Sequence, residues 1–318
     1  MQKELRDIRS DVLPAYRARL TGEELKSRAA VLKELMHECV LCPHECGAQR
    51  LEGRYGVCRS TSDVMISSAG PHYGEEAPLI GTRGSGTVFF TSCNLKCTFC
   101  QNYDVSQMRL GRLVSERELA EIMLRLQRSG CHNINLVTPT HMTPQIVGAL
   151  ALASEDGLSI PIVYNCGGYE STQTLRLLED VVDIYMPDIK YSDSEIARKF
   201  SGGPEYWDLV RLAVKEMHRQ VGDLVIDDRG IAKRGLLIRH LVLPNGLAGS
   251  HAVLDFVVQK ISIDSYINIM GQYRPAYRAL RYDQLSRMIT TTEHAEVLEY
   301  ASGIGLHRGF PAHRPSVI

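Results

Sequence analysis

The sequence predicts an α/β protein built on a parallel sheet covered by helices, and three observations carry that expectation. From residue 87 onward, short apolar runs alternate with helical patterns, and six such runs can be marked. The runs are continuously apolar rather than alternating, as strands buried on both faces are. An apolar content of 44% with 23% charged residues over 318 positions suits one large core with a small appendage, or two ordinary domains.

In chain order, residues 1–38 read as helical, with "EELKSRAAVLKELM" placing apolar residues at helical spacing. Residues 39–86 are rich in Cys, Gly, Pro and Arg and show little periodicity, the composition of a metal-stapled or loop-rich segment. "TVFFTSC" then opens the core of 87–318 as its first strand. "SERELAEIMLRLQRSG" follows as a helix: Ser115 and Glu118 are spaced as a capping box, Leu119, Ile122, Met123 and Leu126 share a face, and Gly130 ends it. "NINLVT", "IPIVYN", "VVDIYMP", "GLLIRHLVLP" and "YINIM" are the remaining strands. The helices between them are "PQIVGALALAS", "STQTLRLLE", a stretch through "YWDLVRLAVKEMHRQVG", and "SHAVLDFVVQKI", with a last helix expected from about Tyr282. Six units are too few for an eight-unit barrel, leaving a partial barrel or an open doubly wound sheet. Either way, ligands belong at the C-terminal ends of the strands.

Composition narrows the partners. The formal net charge is −1 with both signs interspersed, so no basic stripe points to nucleic acid or an anionic membrane surface. The opening "MQKELRDIRS" lacks the apolar stretch of a secretory signal, and no apolar run reaches membrane-spanning length. A cytoplasmic location is expected, where thiols stay reduced and nine cysteines point to metal or redox chemistry. "GTRGSGTVF" lacks the Lys-Ser/Thr of a phosphate loop and precedes a strand, so it reads as a turn.

Seven cysteines form two groups. "CNLKCTFC" places Cys93, Cys97 and Cys100 directly after the first strand, on the expected active-site face. Three thiolates in one loop can hold three corners of a [4Fe–4S] cluster, leaving one iron open for a ligand, whereas a structural zinc site is closed by four. The second group, Cys39, Cys42, Cys46 and Cys58, has four thiols at spacings suited to a zinc knuckle or to an auxiliary [4Fe–4S] cluster. His44 is a substitute ligand or an exposed loop residue. Cys131 and Cys166, each alone beside a strand, read as small buried apolar residues.

The C-x3-C-x2-C motif, the aromatic Phe99 before its last cysteine, and its place after the first strand of a (β/α)6 pattern resemble the radical S-adenosylmethionine (SAM) superfamily. "CNLKCTFCQNYD", "MPDIK" and "IRHLVLP" resemble the glycyl-radical activating enzymes. From Cys39 onward the chain resembles iron–sulfur homologues of pyruvate formate-lyase-activating enzyme, through "HNINLVTPTH", "VYNCGGYES" and "NIMGQYRPA". The resemblance implies a partial (β/α)6 barrel with an N-terminal helical and Cys-rich extension. It further implies a cluster on Cys93, Cys97 and Cys100 that chelates SAM and reduces it to methionine and a 5′-deoxyadenosyl radical, which abstracts hydrogen.

Met186, Asp188 and Lys190 match the family's fourth-strand motif that meets SAM, and Arg239 its fifth-strand arginine. Lys190 and Arg239 suit a carboxylate; Asp188 suits a ribose hydroxyl or a cation. Departures stand beside these matches. Thr138 and Thr140 occupy the place of a Gly-Gly-Glu motif, so their hydroxyls are assigned to the SAM amine. Asn165 and Cys166 replace an Asp-Thr pair, and Tyr273 replaces a histidine. The resemblance implies a flavodoxin or ferredoxin as reductant and, as first expected reaction, hydrogen abstraction from a glycine of a partner glycyl-radical enzyme. The alternatives are hydrogen abstraction from a small molecule or peptide side chain, and a non-catalytic iron–sulfur or zinc protein.

Overall fold

The computed structural model describes residues 13–311, so the part of the expected N-terminal helical segment that falls on residues 1–12 lies outside the described residues. In chain order the elements are α1 (Ala15–Ala18), α2 (Gly22–Glu34), β1 (Val64–His72), α3 (Ala77–Ile80), β2 (Ser85–Phe90), α4 (Tyr103–Ser106) and β3 (Arg112–Val114). They continue with α5 (Glu116–Arg128), β4 (Ile134–Val137), α6 (Thr143–Glu155), β5 (Ile162–Cys166), α7 (Thr172–Leu177), β6 (Ile184–Pro187), α8 (Ser194–Ser201) and α9 (Tyr206–Val221). The series closes with β7 (Val225–Ile226), β8 (Ala232–Leu241), α10 (Ser250–Lys260), β9 (Tyr266–Met270) and α11 (Thr291–Gly303).

All six expected strands form. β2, β4, β5, β6, β8 and β9 pair in that order, each parallel to the next. The sheet does not close: β2 and β9 do not pair, and the β2 edge is extended instead by antiparallel β1, which carries β3. This is a partial barrel. Among the described residues no helix is long and apolar enough to cross a membrane.

Strand alternation splits the core into two faces. Ile134, Leu136, Ile162, Tyr164, Tyr185, Leu236, Ile238, Ile267 and Ile269 point outward to the helices and join the large core. Val163, Ile184, Met186 and Leu237 point inward and gather around Leu79 of α3. A segment from the Cys-rich region thus plugs the barrel from within. Asn133 at the foot of β4 fixes it by donating from its amide to the Leu79 carbonyl at 2.9 Å.

Local sequence explains the expected helix start. Ser115 Oγ accepts from the Glu118 N–H at 3.1 Å, while Glu118 Oε2 accepts from the Ser115 N–H at 2.7 Å, a complete capping box. Two expectations need correction. Residues 39–86 do not stay loop-rich: β1 occupies 64–72 and pairs along β2. Its sequence, "VMISSAGPH", is poor in strand formers, so pairing rather than propensity makes it a strand. Pro71 is tolerated because β3 pairs only with Val64–Ile66, leaving the Pro71 side of β1 without a ladder there. The last helix begins at Thr291, not near Tyr282; a second capping box, Thr290 with Glu293, sets its start, and two tight turns fill the interval.

Candidate functional site

The chain leaves β2 through Ser92, at a positive φ of 72°, and wraps residues 93–100 over the strand ends. The loop is pinned from several sides. Lys96 N–H donates to Ser201 O and Thr98 N–H to Phe200 O, both at 2.7 Å, tying it to the end of α8. Asn94 Nδ2 donates to Tyr169 O at 2.7 Å, and the Arg278 N–H donates to Thr98 O at 2.8 Å. Phe99, the aromatic before the last cysteine, is buried edge-on against Tyr273 at 5.7 Å and Tyr191 at 6.3 Å. Tyr273 therefore supports the loop from behind; its hydroxyl is spent on Leu285 O at 2.7 Å.

The three thiols of this loop are neighbours and are met by donors. Leu95 N–H donates to Cys93 Sγ at 3.3 Å, Ser201 Oγ to Cys97 Sγ at 3.0 Å, and Ser106 Oγ lies 3.2 Å from Cys100 Sγ. Burial pushes the Cys93 thiol up to about 12, with the nearby sulfurs of Cys97 and Cys100 adding to it, and burial likewise raises Cys97. Only a bound positive centre makes such sulfurs thiolates at neutral pH. Among the described residues no three Cys, His, Asp or Glu side chains converge tightly enough to clasp one metal ion. A single tetrahedral ion holds sulfurs at about 2.3 Å and so within about 4 Å of one another. A cubane spreads its thiolates over different irons, an arrangement that three thiols of one loop suit.

Beside the loop stands a half-buried charge set. Asp188 Oδ2 accepts from Lys190 Nζ at 2.5 Å, Asp188 Oδ1 accepts from Arg239 Nε at 2.7 Å, and Arg239 Nη2 donates to Asn165 Oδ1 at 2.6 Å. β6 and β8 bring these together through the Asp188–Arg239 bridge. Burial alone would push the Asp188 carboxyl up, but Arg239 and Lys190 outweigh it and hold the group below the ordinary carboxylate range. Lys190 in turn is close enough to Cys97 to lower that thiol. Asp188, Lys190, Arg239 and Asn165 thus form one connected set, whose Lys190 and Asp188 act on Cys97 of the three-thiol loop.

The side chains of the other expected residues make no hydrogen bond to this set among the described residues, although Met186 and Thr138 adjoin Asn165 through the backbone. Met186 is fully buried in the barrel interior with Ile184 and Leu237. Thr138 sits at a φ of 60° at the end of β4, its N–H on Asn165 O at 2.8 Å. Thr140 is buried, and its hydroxyl proton goes to Glu170 Oε1 at 2.6 Å. Cys131 and Cys166 are buried, as expected.

Three acidic residues escaped the sequence reading. Glu170 is buried against Thr140 and Tyr164, and burial pushes its carboxyl up to about 7. Glu75 and Glu76, on the plug segment, approach Arg239, with Glu75 Oε2 at 3.9 Å from its Nη1. The adjacent acids in "GEEAP", two residues before a proline that opens a helix, were the only local signal.

The second cysteine group folds against the first. His44 Nε2 sits 2.8 Å from Asn94 O, and Leu41 O accepts from Thr174 Oγ1 at 2.9 Å. His44 is therefore half-buried and engaged, not an exposed loop histidine. Cys39 N–H donates to Ala48 O at 3.1 Å, and Gly47 N–H returns to Cys39 O at 3.2 Å, closing a tight loop. A Cβ on Gly56 would stand 2.7 Å from Cys46 Sγ, so the backbone there leaves room for that sulfur alone.

The sequence profile described as the radical SAM superfamily matches residues 87–226. An uncharacterised protein of Methanocaldococcus jannaschii is 31% identical over 290 residues, covering 89% of this chain and 79% of the relative. Among solved structures, Streptococcus suis SuiB superposes with a TM-score of 0.47 at 14% identity, over 70% of this chain and 47% of SuiB. The native form of anSMEcpe with bound AdoMet gives 0.46 at 13% identity, over 67% and 57%. A domain of pyruvate-formate lyase-activating enzyme from Bacteroides vulgatus gives 0.35 at 13%, over 61% and 89%. This chain spans about half the length of the first two structures.

Proposed function

The chain belongs to the radical SAM superfamily, and on that premise we propose that Cys93, Cys97 and Cys100 hold a [4Fe–4S] cluster for reductive SAM cleavage and hydrogen abstraction. The observation that carries this reading is the convergence of three donor-contacted thiols, Cys97 buried and Cys93 and Cys100 half-buried, beside the Asp188–Lys190–Arg239 set. When bound, the cluster and SAM supply a 5′-deoxyadenosyl radical that removes hydrogen from a substrate. The chain's own groups do the positioning. Lys190 and Arg239 offer cationic N–H donors to a carboxylate, and Asp188 holds both in place while keeping an acceptor edge for a hydroxyl. Thr138 is assigned to the amine, and Thr140 keeps Glu170 oriented behind the strand ends. Asn165 steers the Arg239 guanidinium. Burial around the thiols excludes water from the reacting end.

Cys39, Cys42, Cys46 and Cys58 form a second thiol-bound centre in this proposal, a zinc site or an auxiliary iron–sulfur cluster, and counting iron and zinc in the purified protein decides between them. The electron donor is a low-potential protein, flavodoxin or ferredoxin by class.

The test is anaerobic reconstitution with iron and sulfide, then dithionite and SAM, with 5′-deoxyadenosine assayed. Nucleoside release that disappears in Cys97→Ala supports the reading; release that persists in that variant refutes it. A second reading, abstraction from a glycine of a partner enzyme, is favoured by the lack of pairing between β2 and β9, which leaves the barrel unclosed there. A glycyl-radical doublet in the partner's electron paramagnetic resonance spectrum would decide for it.

A further inference from the structure

The barrel interior carries an arrangement that the SAM-handling residues do not use. The plug segment before α3 sends Glu75 and Glu76 inward. Glu75 Oε1 meets His72 Nδ1 at 3.0 Å and its Oε2 approaches Arg239. Glu76 Oε1 accepts from Asn268 Nδ2 at 3.0 Å, while its Oε2 is buried with no partner. Asp188 links Lys190 to Arg239, and Arg239 in turn is the cation that Glu75 approaches.

A second observation concerns the inward face of β4. Asn135 is fully buried, and neither its Oδ1 nor its Nδ2 has a partner. It faces the interior: Ile134 and Leu136 on either side belong to the outer core, and Asn133 on the same face holds the plug at Leu79 O. Its register neighbour on β5 is Val163, against which Leu79 packs. A buried amide with both ends empty costs about 1–3 kcal/mol, and natural cores seldom keep one without a use.

With Asp188, Glu75 and Glu76 against Lys190, Arg239 and the His72 that meets Glu75, Glu76 is the one acid of the three with no cation at ion-pair distance among the described residues. The empty acceptors, Glu76 Oε2 and Asn135 Oδ1, call for a group with several N–H donors. No metal-gathering trio exists among the described residues, which favours an organic cation over a metal ion.

We propose that Glu75, Glu76 and Asn135 form a substrate subsite inside the barrel that takes a cationic nitrogen group, a primary ammonium or guanidinium. The proposal rests on the radical SAM reading for the substrate's fate but not for its binding. A substrate held there has its cation anchored beside the acids that approach Arg239.

The experiment is calorimetric titration of the reconstituted full chain, with and without SAM. The probes are Nα-acetyl-arginine amide and Nα-acetyl-lysine amide against their uncharged counterparts, Nα-acetyl-citrulline amide and Nα-acetyl-norleucine amide. The expected result is at least tenfold tighter binding of the charged amides, shrinking to threefold or less in Glu76→Gln and partly restored in Glu76→Asp. Asn135→Leu should weaken the charged amides about fivefold or more while raising Tm by about 2 °C, because it removes two unpaired polar atoms. A structural asparagine would lower Tm instead. Equal affinity for charged and neutral amides, or discrimination that survives Glu76→Gln, overturns the subsite. Equilibrium dialysis of SAM on the same samples separates the two claims. Failure to bind SAM sinks the parent reading, whereas SAM binding without amide discrimination sinks only this one.

Discussion

Asp188→Asn removes the carboxylate that Lys190 and Arg239 share at 2.5 and 2.7 Å. The amide leaves two buried cations facing each other with only the Asn165 amide oxygen and the more distant Glu75 between them. Breaking a buried pair from one side costs about 3–5 kcal/mol, mostly the price of stranded charge. At about 2.1 cal/mol/K per residue, unfolding this 318-residue chain loses about 1.5 °C per kcal/mol, so Tm should fall by about 4–8 °C at pH 7. The pH dependence follows from the depressed Asp188 carboxyl. Its contribution is present above the unfolded carboxylate range near 4 and is lost as pH falls through the still lower folded value. Wild type and variant should therefore converge only in strong acid. Scanning calorimetry of the iron-free protein from pH 3 to 8 measures both features. A Tm drop below about 1 °C at pH 7 would refute the reasoning, because it would mean that water already screens the three groups.

Three further outcomes are expected. Replacing Cys93, Cys97 or Cys100 by Ala should remove 5′-deoxyadenosine formation and about four irons per chain while leaving the other centre's metal in place, which iron counting checks. Gly56→Ala, whose Cβ would stand 2.7 Å from Cys46 Sγ, should displace that sulfur and cost most of the second centre's metal; full metal content in the variant would argue that Cys46 is no ligand. Burial pushes the Asp183 carboxyl up to about 7, against the pull of the Ala15 and Ile162 N–H groups and Arg234. Stability tied to it is complete below about pH 4 and is lost as pH rises through 7, on the order of 4 kcal/mol in all. Denaturation midpoints for Asp183→Asn should lack that slope; an unchanged slope would mean the carboxyl is already ionised at low pH.

Much of the architecture was legible because its signals are local. Each barrel strand is an apolar run closed by a polar strand end, and Ser115 with Glu118 announces its helix within four residues. The three-thiol loop and the Asp188, Lys190 and Arg239 strand ends were legible as a site because parallel strands present their C-terminal ends on one face. What escaped depends on distant partners. Nothing in "VMISSAGPH" specifies a strand; β1 exists because β2 offers it an edge. Glu75 and Glu76 sit in a stretch without periodicity and gain meaning only when the plug carries them to Arg239. Glu170 looks like a loop acid beside "CGGY", and only the closing of Thr140 and Tyr164 over it makes it a buried one.

The two cysteine groups lean on one support, and that bears on how the protein works. The loop after β5 presents Tyr169, whose carbonyl receives the Asn94 amide of the three-thiol loop and whose ring meets His44 of the other group at 5.2 Å. His44 closes the circuit at Asn94 O, so Asn94 is held by its side chain and by its backbone at once. Asn94 adjoins Cys93, and the position of that sulfur is thereby set by both loops. An N-terminal segment with only a structural duty would have no reason to grip the one residue between Cys93 and the Leu95 N–H that supports it. Under the proposal that both cysteine groups hold metal centres, that grip is what keeps the two in fixed relation, for an electron to pass or a substrate to reach both.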